Sequence, residues 1–219
     1  MAGSLNRAFH RETVLGSGTG NERISRQRSG SGLYAGIHIE VRSLNSGKGV
    51  SLAWNAGANI PSQFVNAVTR GIQDVISAGV LAGCELTDVL VSVEDGSYHE
   101  QDSTEAVFRE VAQKATIAAL QQAGPTILEA FSICHIESPI EYAIAIEKIL
   151  FQKSQIESAQ SGTRSSIATV IVATFSVGEL LERVLATTDG HARFSVESGG
   201  FRSKPEPPET SDGWVPVNA

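Results

Sequence analysis

From Pro125 onward the hydrophobic period switches in an order that few folds satisfy. The strand-like run "TILEAFSICHIESP" is followed by the helical run "IEYAIAIEKILF", then by the strands "SQIESAQSG" and "SSIATVIVATFSV". A second helical run, "VGELLERVLATT", and a last strand, "HARFSVESGG", complete the series. This βαββαβ order within residues 125–203 is the split-βαβ, ferredoxin-like pattern. Gly124-Pro125 marks a domain boundary ahead of it. The segment after it, "SKPEPPETSDGWVPVNA" (203–219), holds four of the seven prolines and no periodicity, so residues 204–219 read as a disordered tail.

The first 124 residues carry a different pattern. "LYAGIHIEVRSL" (33–44) alternates Ile37, Ile39 and Val41 with His38, Glu40 and Arg42, the period of a half-buried strand. "KGVSLAWNA" (48–56) is expected as its antiparallel partner across "NSGKG". The glycine-rich "GSGTGNE" (16–22) and "SGSG" (29–32) read as flexible or turn-forming stretches around "RISRQR". A helix is predicted after Pro61, with Phe64, Val68, Ile72 and Val75 or Ile76 on one stripe and Gly79 past its end. "CELTDVLVSVED" (84–95) alternates with one slip of phase. A long helix follows, with Asp102 and Glu105 as its capping pair, burying Val107, Val111, Ala115 and Ala118 and ending at Gly124.

At 219 residues and 41% apolar content the chain can build two small cores. Aromatics make up only 6%, which favours thin layers of helix on sheet over a deep ring-lined pocket. Cys84 and Cys134 match no metal spacing, and the polar start "MAGSLNRAFHRETV" is not a signal peptide. The longest apolar run, "SIATVIVATFSV", is too short to span a bilayer. The expectation is a reducing, cytoplasmic location with two free thiols and no membrane contact. The net charge of −7 is uneven: residues 1–48 hold seven of the 17 Lys and Arg against three of the 24 acids. A basic end of this kind suits an anionic partner. No phosphate-wrapping loop, zinc signature or nucleophile elbow is present.

The stretch "DGSYHEQDSTE" (95–105) sets a histidine among acids just before a helix. His99 oriented by Asp102 or Glu100 would make a general base. The same residues also suit a plain capped turn or a polar recognition loop. A loop of Gly, Ser and acids supplies no walls to exclude water, and shifted catalytic groups need them. "RISRQRSGSGLY" (23–34) is similarly open: a solvated hairpin, or guanidinium groups for phosphate oxygens.

Several segments together resemble the C-terminal part of bacterial elongation factor G. "HRETV" (10–14) resembles the family's Y-R-E-T-I, and "ISRQRSGSGLYAGIHIEV" (24–41) resembles F-I-R-Q-T-G-G-R-G-Q-Y-G-H-V-K-I. Residues 60–108 resemble V-I-P-K-E-Y-I-P-A-V-x-K-G-I through D-G-S-Y-H-E-V-D-S-S-E-x-A-F. "PTILEAFSICHIESPIEYAIAI" (125–146) resembles P-V-I-L-E-P-I-M-R-V-E-V-x-T-P-E-E-Y. The D-G-S-Y-H-E-x-D-S element is the most specific of these.

The resemblance implies an α+β chain: residues 1–124 as a domain IV of the ribosomal protein S5 domain 2-like type, with a left-handed βαβ crossover, and 125–203 as a ferredoxin-like domain V. It implies a tip that meets the ribosome, contacting rRNA, tRNA and mRNA at the decoding region during translocation. By position that tip comprises Arg26, Arg28, Ser29, Gly30, Ser31, Gly32 and Leu33 in one loop. Ser97, Tyr98, His99, Glu100, Gln101 and Asp102 form the other. The chain is expected to be a monomer and to perform no catalysis. It would hold no cofactor, because GTP and Mg belong to an N-terminal domain of the family that this chain lacks. Three motifs depart from the family. The family's G-G-R-G-Q is SGSGL here, and its G-D-L-N-S-R-R-G and Y-A-T-x-L-R-S-x-T-Q-G-R-G become "EKILFQKSQ" (147–155) and "ERVLATTDGHAR" (182–193). The lost arginines leave ribosomal protection of the tetracycline-resistance kind, or autonomous RNA-binding regulation, as alternative functions.

Overall fold

The computed structural model describes residues 6–28 and 31–203. The expected disordered tail, 204–219, lies outside the described residues. In chain order the strands and helices are β1 (His10–Val14), β2 (Ser17–Arg28), β3 (Ser31–Ser43), β4 (Val50–Trp54), α1 (Ser62–Ala78), β5 (Val89–Ser97) and α2 (Glu105–Gln122). There follow β6 (Pro125–Pro139), α3 (Ala143–Lys153), β7 (Gln155–Ser161), β8 (Ser165–Ala173), α4 (Val177–Thr187) and β9 (Arg193–Ser203). The class is α+β, with two sheets, each carrying two helices. Among the described residues no helix is long and apolar enough to cross a membrane.

The first sheet runs β2-β3-β5-β4. The alternation in β3 buries Ile37, Ile39 and Val41, and that in β5 buries Val89, Val91 and Val93, against Phe64, Val68 and Ile72 of α1 and Phe108, Val111 and Leu120 of α2. Phe64 and Phe108 stack at 4.6 Å between the two helices, a geometry that aromatic quadrupoles favour. The slip of phase before β5 comes from Asp88, which takes φ 57 and lets Leu86 and Val89 both face inward.

Three expectations are corrected here. β4 is not the hairpin partner of β3: it lies at the sheet edge, parallel to β5 through Val50↔Val89 to Trp54↔Val93. Both edges of β3 are already taken by β2 and β5, so residues 44–49 form a crossover that starts a β4–α1–β5 unit. Residues 17–22 are strand, not flexible linker. A Cβ at Gly18 would stand 2.6 Å from Ala123 N, and one at Gly20 2.7 Å from the Ala115 carbonyl carbon. These glycines therefore let β2 lie flush on α2. Finally, the cap of α2 is Thr104, whose side chain accepts from Val107 N at 3.3 Å, and Asp102 points elsewhere.

The second sheet has the order β9-β6-β8-β7, the ferredoxin-like arrangement. Cys134, Ile136, Val170 and Val172 share one face with Ile146 and Leu150 of α3 and Leu180 and Val184 of α4. β6 is long enough, at 15 residues, to serve two neighbours in succession on one side. Phe131 to Pro139 pair with β8, while Pro125 to Glu129 pair with β1.

β1 thereby joins the layers. On one side it pairs with β6; on the other, Glu12 N donates to Glu85 O (2.9 Å) and Thr87 N to Glu12 O (2.8 Å). The Glu12 side chain is fully buried. Its carboxylate accepts from Val80 N (2.6 Å), Leu81 N (2.9 Å), Ala82 N (2.8 Å) and Cys84 N (2.9 Å). Burial pushes this carboxyl up, but the four backbone donors, Ala82 first, outweigh it and hold the group below the usual carboxylate range.

Candidate functional site

Hydrogen bonds between two neighbouring segments build one end of the first layer. The β2–β3 hairpin brings Arg26 opposite Leu33 and Arg28 opposite Ser31. Ser29 and Gly30, the expected apex of that loop, lie outside the described residues. The second segment leaves β5 at Ser97 and reaches α2 through Tyr98–Thr104. It is tied to the hairpin by Tyr34 N donating to Asp102 O at 2.9 Å. The Ser103 hydroxyl donates to Tyr34 O (2.7 Å) and accepts from His99 N (2.8 Å). Gly32 lies against the Asp102 carboxylate, which a Cβ there would push aside.

The loop's chemistry faces solvent. Tyr98, His99, Glu100 and Gln101 are exposed and line only a shallow, open depression. Tyr98 is 43% exposed, while the Tyr34 ring meets the His99 ring edge-on at 6.4 Å and has the Arg23 guanidinium 4.9 Å from its centre. His99 Nδ1 lies 3.2 Å from Asp102 Oδ2 and 3.4 Å from Gln101 N. Nδ1 can donate to the first or accept from the second, not both. Tyr34 OH meets Ser97 Oγ at 3.1 Å. Arg26 is exposed on β2, and its charge helps hold Glu110 of α2 ionised, second to the Lys114 contact.

The structure thus brings Gly32, Leu33 and residues 97–102 together, with Arg26 on the flanking strand. The residues that organise the site, Tyr34 and Ser103, escaped sequence reasoning. A serine just before a helix start reads as a cap, and only the fold brings it under the Tyr34 carbonyl. Among the described residues no three His, Cys, Asp or Glu side chains gather as metal ligands. Nothing excludes water from His99, so the arrangement offers polar and ring surfaces to a large partner more readily than a walled chamber to a small one.

The site is also remote. The opposite end of β2, at Ser17, adjoins the joint: Gly16 N donates to Ala123 O and Leu15 N to Gly124 O, both at 3.0 Å. At about 3.3 Å per residue the far end of β2 lies about 36 Å from that joint, and Tyr34, which is opposite Ser25 and holds the second loop, about 26 Å.

Comparison with known proteins gives a consistent picture. The family described as elongation factor G, domain IV, matches residues 9–124. Elongation factor G of Dehalococcoides mccartyi (strain BAV1) is 30% identical over 201 residues, covering 91% of this chain. That of Chlamydia caviae is 30% identical over 206 residues, covering 90%. This chain spans 29% of the length of either relative. A crystal structure of a Thermus thermophilus protein superposes with a TM-score of 0.79 at 24% identity, over 90% of this chain and 30% of that one. That last likeness is one of fold.

Proposed function

Because the chain belongs to the elongation factor G family through its domain IV, we propose that it is the C-terminal module of a translational GTPase of that type, acting in the cytoplasm as a monomer. In this reading residues 1–124 and 125–203 are the domain IV and domain V equivalents, with β1 shared between them. The tip, Arg26, Arg28–Leu33 and Ser97–Asp102, enters the decoding region of the ribosome. There it contacts rRNA, tRNA and mRNA and assists translocation. The observation that carries this reading is the exposed Tyr98–Gln101 loop, tied to Tyr34 about 26 Å from the joint.

The mechanism is mechanical. The exposed Arg26 guanidinium pairs with phosphate oxygens, and Tyr98 and His99 present ring faces on which unstacked bases can lie. Hydrolysis of GTP, with its Mg, would belong to the portion of the relatives outside this chain. Affinity should fall steeply with salt, because phosphate contacts release counterions.

The test is co-sedimentation with ribosomes at two salt concentrations, comparing the parent chain with a His99→Ala, Arg26→Ala double variant. Weaker pelleting of the variant is expected, and equal pelleting removes the tip contact. One observation favours a second reading. Where the family's arginine-bearing loop would fall, α3 instead exposes Phe151 (79%) beside Gln152. Binding to free RNA without binding to ribosomes would therefore favour an autonomous RNA-binding regulator.

A further inference from the structure

Two chain crossings link the layers covalently, Leu15-Gly16 and Ala123-Gly124, and they lie side by side, bonded to each other and, through Gly16 O, to Ser43 N of β3 at 2.9 Å. Ala123 and the preceding Val14 anchor the first layer's side of the crossings in its core, whereas Gly124 sits at φ 74 and Leu15 is 73% exposed. Two adjacent strands with glycines at the crossing make a hinge, which resists stretching and permits bending. A third attachment lies off that axis, where segment 80–87 meets β1. It consists of the four N–H donors on the Glu12 carboxylate and the two backbone bonds of Glu12. Arg11 adds to it, spanning Glu85 at 3.7 Å and the Phe201 ring of β9 at 4.9 Å. Gly79, at φ 70, leaves the room in which the carboxylate lies, since a Cβ there would run into Glu12 Oε1.

We propose that Glu12 is a positioning residue: its carboxylate locks the Gly16/Gly124 hinge and so fixes the bearing of the tip relative to the second sheet. A tip some tens of ångströms from its hinge is moved far by a small bend, so its delivery to a fixed target depends on the lock. The consequence for binding rests on the ribosomal reading above; the lock itself does not.

The test uses nitroxide labels on Ser25→Cys and Gln160→Cys, both exposed, while the native Cys84 and Cys134 are buried. Pulsed dipolar spectroscopy should give a narrow distance distribution in the parent and a broader one in Glu12→Gln, whose amide keeps the shape but offers one acceptor oxygen in place of two. Equal widths overturn the proposal. Should Glu12→Gln fail to fold, Glu12→Asp, which keeps the charge but falls short of the donors, is read instead, and a parental width there overturns it equally. In ribosome pelleting, a freed hinge that presents the right bearing a tenth of the time weakens apparent affinity about tenfold. A parent chain that does not pellet at all would sink the ribosomal reading while leaving the distance result to stand.

Discussion

Replacing Gly20 by alanine adds one methyl where β2 lies against α2. The new Cβ would sit 2.7 Å from the Ala115 carbonyl carbon and 3.1 Å from its Cα. The obstacle is helix backbone, which cannot swing aside as a side-chain end can. Overpacking of this kind costs about 1–3 kcal/mol, and the lower unfolded-state entropy of alanine returns about 0.4–1 kcal/mol. The net loss is about 1–2 kcal/mol, and with a urea slope of about 2 kcal/mol per M the midpoint falls by about 0.5–1 M. The control is the same chemical change at Gly178 in α4, where a Cβ meets nothing within 4 Å. There alanine should raise stability by about 0.5–1 kcal/mol. Urea unfolding followed by circular dichroism reads both. A Gly20→Ala midpoint at or above the parental value would refute the idea that backbone contact dictates glycine in β2.

Three further outcomes are expected. The Glu12 carboxyl is held low in the folded chain, so its stabilisation is complete above the unfolded value of about 4.3 and is lost as pH falls through the folded one. In urea unfolding the parent should therefore be more stable than Glu12→Gln by about 1–3 kcal/mol near pH 7, with the gap shrinking as pH falls below about 4.3, and a pH-independent gap would contradict this. Thr104→Ala should cost about 1 kcal/mol by removing the cap of α2, whereas Asp102→Ala should leave α2 nearly as stable; amide exchange along the helix separates the two. Burial pushes the Cys134 thiol up, and burial together with the neighbouring Glu12 charge does so for Cys84. Neither should react with an aromatic disulfide reagent near pH 8 until denaturant is added, when both should.

Much of this molecule is legible in its residues because burial imposes the period. The stripe Phe64, Val68, Ile72 and the alternation Val89, Val91, Val93 each face a core, and both elements fall where periodicity puts them. The misreadings arise where tertiary contact overrides local habit. Gly18 and Gly20 look like linker because glycine is permissive, and only proximity to α2 shows that they are strand. β4 looks like a hairpin partner because sequence reports neighbours along the chain, not which edges are already occupied. Asp102 fits a capping spacing, yet its carboxylate goes to His99 and the flank of Gly32, leaving Thr104 to cap. In the tip, polarity and exposure are readable from composition, while the Ser103 bridge to Tyr34 depends on a pairing between segments 69 positions apart.

The double service of β6 also bears on how this chain can be divided. A fragment starting at Pro125 would retain the ferredoxin-like core but leave the first five residues of β6 without their partner on one side. An uncovered strand edge recruits other chains, so such a fragment should self-associate. Extending it to include residues 10–14 through a short engineered linker should restore a solitary particle.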